Sequence, residues 1–207
     1  MFYEAEPGPE LRFGDVVRGF VCSTPIVASP VLDGQPHEYQ IDVSAVPTLF
    51  AVLTPCCNIG ENCISLAPLE RIPSSFFKNP FWAEDLTRVN TVMPPEKAVP
   101  PEKWEAKAEA EKAAELQKGA VYALLSYFVY ACNPLLLEYE YSRKIPAKTG
   151  CYLIDFRKAF RVCCKKIQSA AMYPLEIKCL ELTTVTRSQL RDKMSFYYGR
   201  TPAEDLD

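Results

Sequence analysis

Hydrophobic and polar positions alternate in short blocks over residues 49–69, and this pattern predicts two strands joined by a loop. Residues 50–54 are apolar up to the threonine, as expected of a strand that is covered on both faces. The next residues include proline, asparagine and glycine, which favour turns. Residues 63–67 then alternate, with Ile64 and Leu66 on one face. We therefore expect these two strands to be neighbours in one curled sheet.

Other short strands are predicted where β-branched and aromatic residues concentrate between turn-forming residues. Gly14 and Gly19 mark bends in the first of them. Pro68 lacks a backbone N–H, so we expect the second hairpin strand to end there. Residues 1–11 are expected to form a loose lead-in. The predicted strand ranges outside the hairpin are 13–22, 39–43, 127–131, 135–141, 151–156 and 160–164.

Two helices are predicted. Residues 102–118 are rich in strong helix formers and lack glycine and proline, and Gly119 follows as a common C-terminal stop. The alternating charges and few apolar residues of this segment indicate a helix that packs lightly. Residues 186–198 are expected to form a second helix, which a capping box between Thr186 and Gln189 begins. Leu190, Met194 and Tyr197 form its expected apolar stripe.

Composition narrows the class of protein. The chain has 207 residues, of which 48% are hydrophobic, so it can build a packed core. Its net charge of −3 argues against coating nucleic acid or an anionic membrane through bulk charge. The N-terminus does not resemble a signal peptide, and the longest apolar run is shorter than the roughly 20 residues that span a bilayer. We expect a soluble, cytoplasmic protein without membrane contact, whose nine cysteines are mostly reduced and buried.

Three motifs follow one another near the N-terminus: FGDVVRG from Phe13, LFAVLTP from Leu49 and ISLAPL from Ile64. Their order resembles the PemK/MazF-type family of SH3-like barrels, over about a third of the chain. The resemblance implies an α+β fold, a small SH3-like β-barrel with an inserted charged helix and a C-terminal helix. We expect a single domain over residues 1–207. Its expected parts are the two barrel halves, 12–72 and 120–185, a Pro-rich connection with a helical insertion, 73–119, and the C-terminal helix, 186–199.

The chain departs from this family at the positions that cleave RNA. The family's toxins carry an arginine ahead of the "VLS" strand and a hydroxyl residue directly after "APL". Residues 46–49 contain no arginine, and Glu70 follows the ISLAPL motif. The nuclease chemistry is therefore expected to be absent. The segment Thr54-Pro55-Cys56-Cys57-Asn58 also resembles a Thr/Ser-x-x-Cys-Asp motif found in longer, barrel-bearing bacterial proteins. In this chain Asn58 stands in place of the aspartate.

A thiol cluster of Cys56, Cys57 and Cys63 lies in the loop of the predicted hairpin. Structural zinc takes four nitrogen or sulfur ligands, which C-x₂₋₄-C pairs usually supply. Adjacent cysteines point apart on an extended chain, so a zinc site here needs further ligands that the fold brings close, such as Cys22 or the doublet Cys163 and Cys164. The alternative is a set of buried, reduced thiols, and apart from this zinc we expect no cofactor.

A run of five cations contains no acidic residue and is interleaved with Phe156 and Phe160. Cations with aromatic rings suit phosphate contact and base stacking, so this run predicts a nucleic-acid surface. The alternative is a solvated strand edge, where lysines discourage aggregation. Asp155 is expected to be an edge residue, or a buried acid paired with an arginine of the run. We call Arg157, Lys158, Arg161, Lys165 and Lys166 the cationic run.

Catalytic groupings are sparse. His37 is the single histidine and could activate Cys57 only across the fold, with a surface position as the alternative. Glu138 and Glu140 have strand spacing, which suits either acid–base work or a solvated face.

These patterns favour a non-catalytic interaction module, an accessory subunit of a bacterial multi-protein system such as phage defence or toxin–antitoxin. The setting comes from the family resemblance alone. We expect a protein partner, and the sequence does not indicate an oligomeric state. The alternatives are a nucleic-acid-binding or RNase-related protein that uses the cationic run, and a thiol or zinc protein.

Overall fold

The computed structural model describes residues 1–20, 24–25, 41–42, 49–59, 63–72, 85–92, 103, 106–117, 126–136, 151–163 and 178–199. The helices with both ends inside these ranges are α1 (Glu109–Gln117), α2 (Thr184–Gly199) and the 3-10 helices Cys56–Asn58, Leu86–Asn90 and Phe156–Lys158. The strands within them are β1 (Val16–Val17), β2 (Thr24–Pro25), β3 (Ile41–Asp42), β4 (Phe50–Val52), β5 (Cys63–Pro68), β6 (Glu70–Arg71), β7 (Tyr127–Tyr130), β8 (Tyr152–Asp155), β9 (Phe160–Cys163) and β10 (Lys178–Leu180).

Five strands form one antiparallel sheet in the order β10-β1-β4-β5-β9. β4 pairs with β5 through Ala51 opposite Ala67, and β5 pairs with β9 through Cys63 opposite Cys163. β1 lies on the other side of β4, with Val16 opposite Ala51. The prediction that the hairpin strands are neighbours in one sheet, beside the opening strand, is confirmed.

A three-stranded antiparallel sheet has the order β6-β8-β7. Leu69 alone separates β5 from β6, so one run of chain contributes to both sheets. β8 and β9 are likewise separated only by the 3-10 helix Phe156–Lys158 and Ala159. Among the described residues neither sheet is closed on itself, and β2 and β3 pair only with each other. Antiparallel sheets together with helices confirm the α+β class.

Pro68 lies inside β5, so the prediction that it ends the strand is wrong. The backbone O of Ser65 and the backbone N of Leu69 both bond to the β4 side of the strand, at 2.8 Å each. Alternate residues direct their backbone groups to opposite sides, so Pro68 faces away from β4. Its missing N–H falls on the side of β9, where the β5–β9 ladder has already ended. The proline therefore removes no ladder hydrogen bond.

Two clusters of buried apolar residues lie on opposite faces of the five-stranded sheet. Phe50 and Val52 belong to the smaller cluster, whereas Ala51 and Leu53 belong to the larger one. Because successive side chains of a strand point to opposite faces, β4 is covered on both sides, as predicted. The larger cluster also includes side chains from β7, β8 and α2, and it forms the main core.

Gly14 occupies a position that requires glycine. Its φ of +88° lies in the left-handed region, which side chains with a Cβ rarely adopt. A Cβ on this residue would stand 2.6 Å from Cδ1 of Leu182. The predicted bend at Gly14 is confirmed, and it lets the chain pass closely under α2.

The prediction of a loose lead-in over residues 1–11 is wrong. Tyr3 forms a β-bridge with Leu182, and its hydroxyl donates to the backbone O of Ala131 at 2.6 Å. Leu11 is only 1% exposed. The apolar residues of this segment pack on the sheet and exclude solvent from it. The acidic, Pro/Gly-rich composition of the segment does not indicate this packing.

The C-terminal helix is confirmed, but it begins earlier than predicted. Thr183 caps it, because its Oγ1 accepts a hydrogen bond from the backbone N of Thr186 at 3.4 Å. Thr186 lies inside the first turn and is buried, so the predicted capping box with Gln189 is wrong. Thr183, three residues upstream, supplies the side-chain cap instead. The apolar stripe packs on the larger core as expected, through Leu190, Met194 and Tyr197.

The inserted charged helix is interrupted rather than continuous. Lys103 is helical, residues 106–108 are not, and α1 begins at Glu109. Its Lys112 pairs with Glu109 at 2.8 Å, and the described side chains of the helix are mostly exposed. Light packing is therefore confirmed, whereas helix propensity alone did not keep residues 106–108 helical.

Asn90 takes the place of a neighbouring strand along β7. Its Nδ2 donates to the backbone O of Val129 at 2.7 Å, and its Oδ1 accepts from the backbone N of Val129 at 2.7 Å. Asn90 is buried, so both backbone groups are satisfied away from water. A side chain thus protects the outer edge of the three-stranded sheet.

Two further strand predictions differ from the structure. Leu135 and Leu136 lie in a helical turn, where Asn133 Oδ1 accepts from the backbone N of Leu135 at 2.9 Å. The predicted strand 135–141 is therefore wrong at its start, and the rest lies outside the described residues. β10 was not predicted, because a strand of three residues that includes a lysine gives no clear apolar pattern. No helix in the described ranges has the length and apolar character needed to cross a membrane.

Candidate interaction surface

The cationic run begins in the turn between β8 and β9. Arg157 donates from Nε to Oδ1 of Asp155 at 2.9 Å and from Nη2 to Oδ2 at 2.7 Å. Asp155 is 2% exposed, whereas the Arg157 side chain is 56% exposed. These hydrogen bonds hold the pKa of the Arg157 guanidinium above its ordinary value. Of the two expectations for Asp155, the buried acid paired with an arginine of the run is confirmed, and this acid neutralises the first cation of the run.

Lys158 is also paired with a carboxylate. Its Nζ donates to both oxygens of Glu70, at 2.6 and 2.7 Å. Arg161 lies on β9, is exposed, and forms no ion pair with any described residue. Lys165 and Lys166 lie outside the described residues. Two of the three described cations are therefore partly neutralised, and a phosphate group would compete with carboxylates for them.

The aromatic rings beside the run are not the predicted ones. Phe156 is buried, and Phe160 packs against the smaller core. Instead, Tyr127 accepts a hydrogen bond on its Oη from Nη2 of Arg157 at 2.9 Å. Tyr198 is 59% exposed, and its hydroxyl donates to the backbone O of Phe156 at 3.0 Å. Both tyrosines come from distant parts of the chain, so the local sequence of the run gives no signal for them.

β9 forms one edge of the five-stranded sheet, and within the described residues no strand pairs with its outer side. Since Ser65 directs its backbone groups to β4, its two neighbours on β5 direct theirs to β9. Those neighbours stand opposite Phe160 and Val162, which therefore bond inward. Arg161 and Cys163 direct their backbone N–H and C=O groups outward, and both residues are exposed. This edge offers the donors and acceptors that an added strand needs.

The cysteines predicted to share zinc are not grouped for metal binding in the structure. Cys63 forms a disulfide bond with Cys163. Cys56 and Cys57 are exposed on the 3-10 helix between β4 and β5, where Sγ of Cys56 accepts from the backbone N of Phe13 at 3.4 Å. The described residues contain no group of three His, Cys, Asp or Glu side chains that could hold a metal ion. Zinc binding stays a prediction, and it requires Cys63 to leave its disulfide.

The expectation of mostly reduced, buried thiols is wrong for the described cysteines. Four of the seven form disulfide bonds, because Cys132 is bonded to Cys151 in addition to the first pair. Only Cys151 is buried. The bonded residues are 100 and 19 positions apart, so strand register and tertiary structure bring them together. Cys22, Cys164, His37, Glu138 and Glu140 lie outside the described residues.

A network of buried charges, which the sequence did not indicate, joins the N-terminal segment to the sheet. The side chain of Lys178 is 2% exposed, and its Nζ contacts Oδ2 of Asp15 at 2.9 Å and Oε2 of Glu181 at 2.7 Å. The same Nζ donates to the backbone O of Gly8 at 3.1 Å and to that of Glu10 at 2.7 Å. One ammonium group therefore organises two carboxylates and the N-terminal backbone.

Arg187 extends this network to α2. Its Nη2 contacts Oε1 of Glu181 at 3.1 Å, and its Nε donates to the backbone O of Phe13 at 3.1 Å. Burial acts to raise the pKa of Glu181, but the hydrogen bonds from Lys178 and Gly8 outweigh it and hold that pKa below its ordinary value.

Asp15 is the least satisfied member of the network. Its Oδ2 accepts from the backbone N of Arg12 at 2.7 Å, but its buried Oδ1 has no hydrogen-bond partner. Burial raises the pKa of Asp15 to about 6, although Lys178 acts to lower it. The ion pairs all join parts of the fold, so we assign this network to stability. Comparison with known protein families, curated proteins and solved structures gives no match to this chain.

Proposed function

We propose that this protein is a non-catalytic interaction module, an accessory subunit of a bacterial multi-protein system such as phage defence or toxin–antitoxin, acting in the cytoplasm. We also propose that its two sheets are the halves of an open SH3-like barrel. Two runs of chain, β5–β6 and β8–β9, each pass from one sheet to the other, which supports a barrel. The resemblance to the PemK/MazF-type family supports the biological setting.

The observation that carries the proposal is the open edge of β9. The outward backbone groups of Arg161 and Cys163 can bond an extended segment of a partner protein, which would add a sixth strand to the sheet. Bonding of this kind does not depend on a catalytic group. It needs an accessible edge and side chains that select the partner.

Charge selects an acidic partner segment. Arg161 is exposed and has no described carboxylate partner, and Lys165 and Lys166 follow it in the sequence. A glutamate or aspartate opposite Arg161 would form a cross-strand ion pair, which contributes about 0.2–1 kcal/mol. Nucleic acid is less favoured here because Asp155 and Glu70 neutralise neighbouring cations and repel phosphate.

The test uses a fluorescent peptide of alternating glutamate and valine, titrated with the full chain and followed by anisotropy. A matching lysine–valine peptide is the charge control. Arg161→Lys keeps the cation and the backbone N–H, Arg161→Ala removes the cation, and Arg161→Pro removes both. Since the N–H of Arg161 faces outward, the proline is tolerated by the β5–β9 ladder.

We expect Arg161→Lys to bind like the wild type, Arg161→Ala to bind about two- to fivefold more weakly, and Arg161→Pro to lose at least about tenfold. Equal binding by Arg161→Pro and wild type, or equal binding of both peptides, would overturn the proposal. Tight, salt-sensitive binding of a single-stranded oligonucleotide that survives Arg161→Pro would support the nucleic-acid alternative. Stoichiometric zinc in the purified protein, lost in Cys57→Ser, would support the metal alternative, and self-association lost in Arg161→Pro would identify a second copy as the occupant.

A further inference from the structure

The disulfide bond between Cys63 and Cys163 joins the open edge strand to its neighbour. The two residues stand directly opposite in the register of β5 and β9. Cys163 is exposed at the last position of β9, and Cys63 is partly exposed at the first position of β5. Solvent therefore reaches the bond from the side of Cys163.

Apart from this bond, β9 is held by its pairing with β5 and by two partly buried side chains. Phe160 and Val162 are partly buried against the smaller core, and Arg161 and Cys163 are exposed. Hydrogen bonds within the described residues hold only its inner side. Segments with few buried contacts open more readily than central strands do. The bond to Cys63 keeps the end of β9 from separating, so it has a direct effect on the edge.

We propose that Cys63–Cys163 is a thiol–disulfide exchange site through which a low-molecular-weight thiol such as glutathione controls the order of the β9 edge. Its consequence for partner binding rests on the proposed function. In the cytoplasm, disulfides that do occur are usually transient or redox-sensing, which agrees with a regulatory role for this exposed pair.

The exchange takes place in two steps. A glutathione thiolate attacks the exposed Sγ of Cys163, the Cys63–Cys163 bond breaks, and Cys63 leaves as a thiolate that takes up a proton. A second glutathione thiolate attacks the glutathione sulfur of the mixed disulfide, and Cys163 leaves as a thiolate that takes up a proton. Two electrons reduce the protein bond, and two glutathione molecules become one glutathione disulfide.

The second disulfide provides a matched comparison. Cys132 is exposed and Cys151 is buried, and the pair lies beyond the ends of β7 and β8. β8 is the central strand of its sheet and pairs on both sides. Breaking this bond therefore leaves its strands in place and should not affect β9.

The experiment uses the full chain with Cys164→Ser, so that alkylation of Cys163 can be assigned beside its neighbour in the sequence. The protein is equilibrated at a series of reduced-to-oxidised glutathione ratios. Free thiols are then alkylated and mapped by mass spectrometry, and hydrogen exchange of the β9 amides is measured on the same samples. Cys63→Ser with Cys163→Ser mimics the open state, and Cys132→Ser with Cys151→Ser is the control.

We expect the reduced fraction of Cys63 and Cys163 to follow the glutathione ratio. On reduction, exchange of the Phe160 and Val162 amides should become about tenfold faster or more, and the glutamate–valine peptide should bind at least about tenfold more weakly. The double serine control at Cys132 and Cys151 should respond like the wild type.

The inference is overturned if Cys63–Cys163 stays bonded at ratios that reduce Cys132–Cys151, or if its reduction leaves the β9 amides equally protected. Failure of the peptide to bind in either redox state would instead overturn the proposed function. The thiol mapping and the amide exchange would still decide the present inference in that case.

Discussion

Replacing Lys178 by methionine removes the one ammonium group that lies between Asp15 and Glu181. Its side chain is 2% exposed, and Nζ contacts the two carboxylates at 2.9 and 2.7 Å. Methionine is a flexible, unbranched apolar residue, so the packing around the site is nearly kept. The substitution therefore tests the charge interaction in the network rather than the filling of space.

We expect Lys178→Met to lower the free energy of unfolding by about 3–5 kcal/mol at pH 8, the usual cost of removing one partner from a buried ion pair. Glu181 keeps its contact with Arg187 at 3.1 Å, so most of the loss falls on Asp15. The pKa of Asp15 is about 6 even beside Lys178, against an ordinary value of 3.8. This difference corresponds to about 3 kcal/mol of cost for the charged, buried carboxylate, and the cost increases when the cation is lost.

The destabilisation should depend on pH in a definite direction. Because the folded state raises the pKa of Asp15, this residue contributes stability that is complete below pH 3.8 and is lost as the pH rises through about 6. Without Lys178 the folded pKa of Asp15 rises further, and the protonated acid needs no cation. Glu181 has a lowered pKa, so its contribution changes only below its ordinary value of 4.5. The effect of Lys178→Met should therefore shrink between pH 8 and pH 5.

The assay is urea unfolding followed by circular dichroism at pH 5, 6, 7 and 8. Lys158→Met is the matched control, because its ion pair with Glu70 is half exposed and should contribute at most about 1 kcal/mol without this pH dependence. Adding Asp15→Asn to Lys178→Met should remove the pH dependence. A loss below about 1 kcal/mol at pH 8, or a loss that stays constant down to pH 5, would refute the assignment of a strained Asp15–Lys178 pair.

Three further substitutions test other parts of the fold, each by chemical unfolding. Gly14→Ala should destabilise by about 1–3 kcal/mol, since φ is +88° and the new Cβ would meet Leu182 at 2.6 Å; unchanged stability would contradict this geometry. Asn90→Ala should cost about 2–4 kcal/mol and speed amide exchange at Val129, because both 2.7 Å hydrogen bonds are lost; unchanged exchange there would count against edge protection. Lys193→Met removes the hydrogen bond from Nζ to the backbone O of Val89 but should stabilise the protein at pH 6, since burial lowers the pKa of Lys193 to about 7, and the gain should shrink as the pH rises from 7 towards 10.5; a gain independent of pH would refute a buried amine whose charged form is costly.

The strands that could be predicted are those whose own side chains show where the strand begins and ends. β4 and β5 have apolar runs and turn residues at their ends, and both lie where the pattern put them. Helix α2 followed from its apolar stripe in the same way. The prediction for Pro68 is wrong because the effect of a missing N–H depends on which side of the strand it faces. That side is set by the register with β4 and β9, which a single strand does not contain.

The buried charges could not be predicted for a related reason. Asp15 and Lys178 are far apart in the sequence, and each is of a charged residue type that usually lies on the surface. Only the packing of the N-terminal segment against β10 removes both from water. The disulfide between Cys63 and Cys163 is similarly a consequence of strand register across 100 positions. A sequence pattern predicts which faces of one strand or helix are buried. The ion pair and the disulfide depend instead on which strands and segments pack against each other.

The charge that the cationic run presents depends in the same way on contacts between distant elements. Arg157 has its carboxylate two residues away, whereas Lys158 takes Glu70 from 88 positions away, and this second pairing changes the charge that a ligand meets. The sequence of β9 does not show whether the strand lies in the middle of a sheet or at its edge. Its open side is a property of the sheet order. Because the backbone N–H and the exposed side chain of Arg161 both belong to this open edge, substitutions that remove them one at a time distinguish the proposed added strand from a bound phosphate backbone.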